Sequence, residues 1–226
     1  QTCILLDAPA CRVAVDFGAS SLVALNAMGI AHNSIDAIVL THLHGDHCGG
    51  VPFLLLDAML GAKRTKPLTI AGPRDTKRRL AEIGSALFPG SEAMTPKFDL
   101  SIIEMNVLKP NAVAGVIVTP FPAHHTCATN PTAVRVDIGG KIVSYTGDGE
   151  WTKHTPKLGA DADLLITECF AYDKSVPFHM NYPDVVKHWE DFGAKRMILT
   201  HMGPDMLAQS RAVPQDCAHD GLVITL

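Results

Sequence analysis

No stretch of this chain stays apolar long enough to cross a bilayer, so the sequence contains no helical membrane span. Nor do basic residues gather beyond one short cluster, Lys77, Arg78 and Arg79, and the formal net charge is −4. A protein that holds nucleic acid mainly through charge needs a basic face. The cluster is therefore read as a solvated helix face. The six cysteines (Cys3, Cys11, Cys48, Cys127, Cys169 and Cys217) include no CxxC pair. They are expected to be reduced, mostly buried thiols of a cytoplasmic protein. Cys48 and Cys127 stand near histidine motifs and are candidates to line a site, although burial as small apolar residues is the preferred account. Repeats, low-complexity segments and linkers are also lacking. With 226 residues, 47% hydrophobic and 19% charged, the expectation is a single globular domain over residues 1–226. The chain opens on a strand-like run, Cys3–Leu6, which predicts a short native segment ahead of residue 1.

What is present is an alternation of strand-like and helical patterns. Strands are expected at Ile4–Leu6, Arg12–Asp16, Ile38–Leu40, Leu68–Ala71, Val116–Pro120, Ala133–Ile138, Lys141–Tyr145, Leu164–Thr167, Met197–Thr200 and Leu222–Thr225. Helices are expected at Ser20–Met28, Cys48–Leu60, Pro73–Leu87 and Pro183–Phe192; most stop at a glycine. Such alternation predicts α/β layers. The stretch Phe98–Gly149 is mostly strand and turn and predicts antiparallel hairpins.

The strongest chemical signal is Thr41-His-Leu-His-Gly-Asp-His47, directly after the apolar run Ile38–Leu40. His42 and His44 are two apart, so on an extended backbone they share a side. Gly45 lets the chain turn before Asp46 and His47. One cation cannot easily use four ligands packed so closely, whereas two side by side can. Further ligand types end other expected strands: Asp16, His124, His125, Asp148, Glu168 and His201. Sites in layered α/β proteins gather at strand ends.

At this point the chain resembles the metallo-β-lactamase-fold hydrolases over nearly its whole length. The resemblance rests on His42-Leu-His-Gly-Asp-His47, the early Asp16, a histidine near 125, Asp148 in a Gly-Asp turn and the late His201. Within that family it looks most like the ribonuclease Z-like branch, through Tyr145-Thr-Gly-Asp148, Leu165-Ile-Thr-Glu168 and Leu199-Thr-His201. The resemblance implies a four-layer αββα sandwich. It implies two divalent metal ions, with zinc the default for a His-rich site and Mn, Fe and Ni fitting the same ligands. His42, His44 and one of His124 and His125 would bind the first ion, His125 being preferred on spacing. Asp46, His47 and His201 would bind the second, and Asp148 would bridge them. Asp16 would be a supporting residue. Asp46 would also steer the attacking hydroxide between the ions. Glu168 and His179 resemble a Glu–His pair that protonates the leaving group. His32, His154, His188 and His219 lack motif context and are read as ordinary residues.

The expected activity is metal-dependent hydrolysis of a small phosphodiester. The alternative is a carboxyl-ester, lactone or thioester hydrolase or a sulfatase on the same scaffold; a non-catalytic metal-binding module ranks below both. Only 22 residues separate His125 from Asp148. They are filled by two expected strands, so the tRNA-holding arm of ribonuclease Z is missing there, and the acidic balance disfavours a large polyanion such as tRNA. The substrate partner is thus a small molecule and no membrane is involved. A homodimer is compatible, with the apolar helix Val51–Leu60 as its candidate face. Gly149 stands where the branch carries threonine.

Overall fold

The computed structural model describes residues 1–126, 128 and 131–226, so Cys127 lies outside the described residues. The chain forms two compact units, Gln1–Asn106 with Ala112–Val116, and Val107–Asn111 with Ile117–Leu226. Each holds a mixed sheet with helices.

In the first unit, β1 (Ile4–Ala8) and β2 (Cys11–Val15) pair antiparallel, with Leu6 opposite Val13. Then β3 (Ala37–Val39), β4 (Leu68–Gly72) and β5 (Leu100–Glu104) add in parallel, in the order β1-β2-β3-β4-β5. Parallel neighbours need crossovers. These are α1 (Ser21–Ala27), then α2 (Gly45–Cys48) with α3 (Val51–Leu60), and finally α4 (Thr76–Leu87). Strands covered on both faces read as unbroken apolar runs, and all three residues of β3 are buried. Ile38, Ile70, Leu40, Leu54 and Leu68 form the core with Phe17 and Ile35.

The other sheet, most of which belongs to the second unit, has the order β11-β10-β9-β8-β7-β6. Its strands are β6 (Asn111–Val113), β7 (Val116–Pro122), β8 (Thr132–Ile138), β9 (Lys141–Tyr145), β10 (Leu164–Glu168) and β11 (Met197–Thr200). β7, β8 and β9 run antiparallel, while β10 joins β9 and β11 in parallel. Gly139 and Gly140, at φ +59° and +76°, make the β8–β9 turn, which needs positive φ at both central positions. The helices are α5 (Thr155–Gly159), α6 (Tyr182–Lys187) and α7 (Pro204–Gln209). Leu158, Leu165, Met180, Val185, Phe192 and Leu199 carry this core.

Four expectations need correction. The helix expected over Cys48–Leu60 begins earlier, at Gly45, and breaks into α2 and α3 at Gly49 and Gly50, two poor helix formers. The stretch expected to form antiparallel hairpins does so from β7 to β9, but it starts with β5, which instead extends the parallel ladder beside β4. The helix expected over Pro183–Phe192 ends at Lys187, and a 3₁₀ turn at Glu190–Phe192 follows. Leu222–Thr225 is not a strand. Leu199 in β11 already bonds Asp216 and Ala218, so the edge of β11 is occupied and the later run has no ladder to join there. Two of the five described cysteines, Cys48 and Cys169, are buried and three are half-buried. Among the described residues, no helix is long and apolar enough to cross a membrane.

Candidate metal centre

The first unit presents one set of candidate ligands where β2 and β3 end. Asp16 closes β2 in the left-handed region (φ +58°), a conformation that aspartate tolerates better than most residues. Its carboxylate is fully buried and accepts from the Thr41 amide at 2.8 Å and the Thr41 hydroxyl at 2.8 Å. It also faces His47 Nδ1 at 2.7 Å. An ionised carboxylate can only accept, so His47 Nδ1 carries the proton. In the neutral ring Nε2 then holds the lone pair. Thr41 extends the same logic. Its single hydroxyl proton goes to Asp16, so toward His42 Nδ1, 3.2 Å away, it accepts. His42 therefore also keeps its proton on Nδ1 and its lone pair on Nε2. That nitrogen lies 3.1 Å from His44 Nδ1, and Asp46 Oδ2 lies 3.4 Å from His47 Nε2. One buried carboxylate thus sets two imidazoles in the tautomer that ligates a cation.

The second unit presents the other set. His125 donates from Nδ1 to the Phe178 carbonyl at 2.7 Å, which leaves its lone pair on Nε2. The His125 and Asp148 side chains are each 3% exposed, and Asp148 Oδ2 sits 3.9 Å from His125 Nε2 and 3.4 Å from His201 Nε2. His201 directly follows β11 and, like Asp16, is left-handed (φ +51°). Glu168, fully buried at the end of β10, accepts from the amides of Gly149 (2.9 Å) and Met180 (3.0 Å) and bonds His179 Nδ1. Asp148, Glu168, His179 and His201 bring ligand atoms within 4.8 Å of one another. Burial disfavours charge on His179. The hydrogen bond and charge of Glu168, with the charge of Asp148, outweigh it and raise the pKa above the ordinary imidazole value. The ring of Phe170 stacks on His179 at 4.4 Å.

Each expected ligand falls at a strand end or in the loop after it. The neighbouring histidines diverge, as residues one apart on an extended segment must. His125 faces Asp148, whereas His124 is 60% exposed and pairs with Glu150 at 3.1 Å. His32 and His188 are bound to Asp57 and Asp191. Sequence reasoning passes over Thr41, which stands in the motif itself, and Glu150, which nothing in the sequence singles out. Gly149 also finds its reason. Its φ is +154°, and a Cβ there would stand 3.1 Å from the His124 carbonyl oxygen and 3.3 Å from the His124 amide nitrogen. The missing side chain lets the third-histidine segment bridge directly to Glu150.

Cys169, beside Glu168, is the counter-example of a reactive group. Burial, then the neighbouring Cys217, Glu168 and Asp184, push its thiol up to about 12. Only the thiolate reacts. Native protein treated with iodoacetamide at pH 7 is expected to leave Cys169 unmodified until it is unfolded, as peptide mass mapping would show. Native labelling at the rate of a free thiol would contradict this.

The chain matches the model of the beta-lactamase superfamily domain over residues 12–202. It is similar to a ribonuclease Z of Agathobacter rectalis, 33% identical, covering 90% of this chain and 82% of that protein. It is similar to one of Clostridium beijerinckii, 38% identical, covering 86% and 80%. A match to the ribonuclease Z of Lachnoclostridium phytofermentans, 32% identical, spans 57% of this chain and only 40% of that protein. Among solved structures, the short form of human tRNase Z shares the fold with a TM-score of 0.79 at 21% identity, covering 99% of this chain and 92% of that one. A diphosphatase of the PhnP family does so at 0.75 and 21%, covering 99% and 83%. With its two mixed sheets and these matches, the chain belongs to the beta-lactamase superfamily, in the ribonuclease Z-like branch, and is a metal-dependent hydrolase.

Proposed function

We propose that the protein is a phosphodiesterase that uses two divalent ions, zinc first among them, to hydrolyse a small phosphodiester. In this reading His42, His44 and His125 would hold one ion and Asp46, His47 and His201 the other, with Asp148 as a further ligand. The observation that carries it is the cluster of buried Asp148 and Glu168 with half-buried His179 and His201, whose ligand atoms all lie within 4.8 Å of one another. The donor chemistry fits: imidazoles fixed with an outward lone pair beside carboxylates suit such cations. Bound there, the ions supply positive charge that lowers the pKa of water and offsets charge growing on phosphoryl oxygens.

The chain's own residues do the rest. Asp46, the less buried carboxylate of the first set, accepts a hydrogen bond from the attacking water and aims it. His179 engages Glu168 through Nδ1, so Nε2 is the nitrogen that can hand a proton to a departing alkoxide. The hydrogen bond and charge of Glu168 raise its pKa and so favour the protonated ring. A leaving group of high pKa needs such a donor, which favours a phosphodiester over an activated ester. His179→Ala is expected to slow an alkyl phosphodiester by about 100-fold or more. It should slow bis-p-nitrophenyl phosphate, whose leaving group departs unaided, far less. Equal losses on both substrates would remove the acid role from His179.

Size is the finer point. The match to the Agathobacter protein runs over 256 positions, more than the 226 residues of this chain, so that relative carries segments without a counterpart here. This supports a substrate smaller than tRNA. The relatives' name favours RNA as the second reading. The test is metal-free protein reloaded with Zn, Mn, Fe or Ni and given bis-p-nitrophenyl phosphate, cyclic nucleotides, a lactone, a thioester and tRNA. Turnover of the diesters with chelator-sensitive activity is expected. Activity confined to the lactone or thioester would overturn the phosphodiesterase reading, and cleavage of tRNA alone would overturn the small-substrate reading.

A further inference from the structure

We infer that Glu150 is a positioning residue, which aims His125 and His179 by gripping the backbone of Phe178. Three loop segments of the second unit meet at its side chain. Oε1 accepts from the Phe178 amide at 2.7 Å. Oε2 pairs with His124 Nδ1 at 3.1 Å. The Glu150 amide donates to the His124 carbonyl at 3.1 Å, so the residue is also tied to that segment by its backbone. Phe178 in turn offers its carbonyl to His125 Nδ1 at 2.7 Å, and its next neighbour is His179.

The backbone of Phe178 explains why a grip is needed. It sits at φ +65°, a region that costs a bulky residue energy and persists only where the surroundings over-determine it. Its amide is held by Glu150, and its ring lies 5.4 Å from that of His124. Released from Glu150, the peptide can relax toward the ordinary region and swing its carbonyl away from His125. The imidazole then loses the acceptor that keeps its proton on Nδ1 and its lone pair on Nε2. Partners of this kind, one step removed from a ligand, typically change metal affinity by about 10- to 100-fold. The pair with His124 steadies the carboxylate from the other side. Charge alone would not serve, because the acceptor must reach across to the Phe178 amide.

The inference rests on the proposed roles of His125 and His179, but its first readout does not require them. Three variants separate reach from charge. Glu150→Gln keeps an oxygen acceptor at the same distance. Glu150→Asp keeps the charge and shortens the arm. Glu150→Ala removes both. In metal-free protein, long-range proton–nitrogen NMR spectra of uniformly ¹⁵N-labelled protein report the tautomer of His125. The parent and the glutamine variant are expected to show one Nδ1–H form, and the aspartate and alanine variants a mixture. Zinc titration by calorimetry should then show affinity within about threefold of the parent for glutamine and at least about tenfold weaker for aspartate. Should the alanine variant not fold, the glutamine–aspartate pair decides alone. An aspartate variant that retains the single tautomer and parental zinc affinity would overturn the inference, as would a glutamine variant that loses both. If the parent binds no zinc, the proposed function fails while the NMR comparison still judges the role of Glu150.

Discussion

Replacing Asp148 with alanine is expected to lower bound metal per chain and to abolish nearly all hydrolysis, by far more than 100-fold. The lower bound comes from residues that only support a ligand, whose loss costs about 10- to 100-fold. Asp148 is placed more centrally than that: its Oδ2 lies within 4 Å of both His125 Nε2 and His201 Nε2. Without it, two imidazoles lose the carboxylate that they share. His47→Ala is expected to act alike, because that ring carries the proton-fixed donor of the first unit. Elemental analysis beside a phosphodiester rate decides the matter. Full metal occupancy in both variants would reject the proposed ligand set.

Asp16→Ala should strike stability and metal binding together. The buried carboxylate satisfies the Thr41 amide, the Thr41 hydroxyl and His47 Nδ1. Each donor left buried without a partner costs about 1–3 kcal/mol. A loss of about 3 kcal/mol or more is therefore expected from urea unfolding of the metal-free protein. That is a large share of the 5–15 kcal/mol typical of a folded protein, yet it leaves the chain folded under mild conditions. The same change frees the tautomers of both His42 and His47, so zinc affinity should fall as well. A variant that unfolds at the parental urea concentration and keeps parental zinc affinity would show that Asp16 does neither job.

The local order of the site was legible because its residues announce themselves by type and spacing. His42, His44, Asp46 and His47 share one loop, and Asp16, Asp148, Glu168 and His201 each follow an apolar run. Strand ends position side chains by simple geometry, so a sequence pattern carries over into space. Element edges were less legible. The Gly49–Gly50 break and the parallel placement of β5 depend on which ladder is open to receive the chain, and Leu222–Thr225 shows the same dependence in reverse. Thr41 and Glu150 escaped because their roles lie in proton direction and reach. Neither property has a spacing signature. Glu150 acts across 28 residues on a peptide group that any amino acid would possess.

The bare α-carbon at position 149 has an evolutionary corollary. A threonine at this position would be strained, since its first side-chain atom would sit 3.1 Å from the main-chain oxygen of residue 124 at a φ of +154° that side-chain-bearing residues rarely adopt. The two features are expected to change in concert. A relative that combines glycine at this position with the His124–Glu150 contact should share this loop route, and one that has threonine is expected to place its third-histidine segment farther from this position. Position 149 can therefore sort members of the branch by loop path before any of their structures is known.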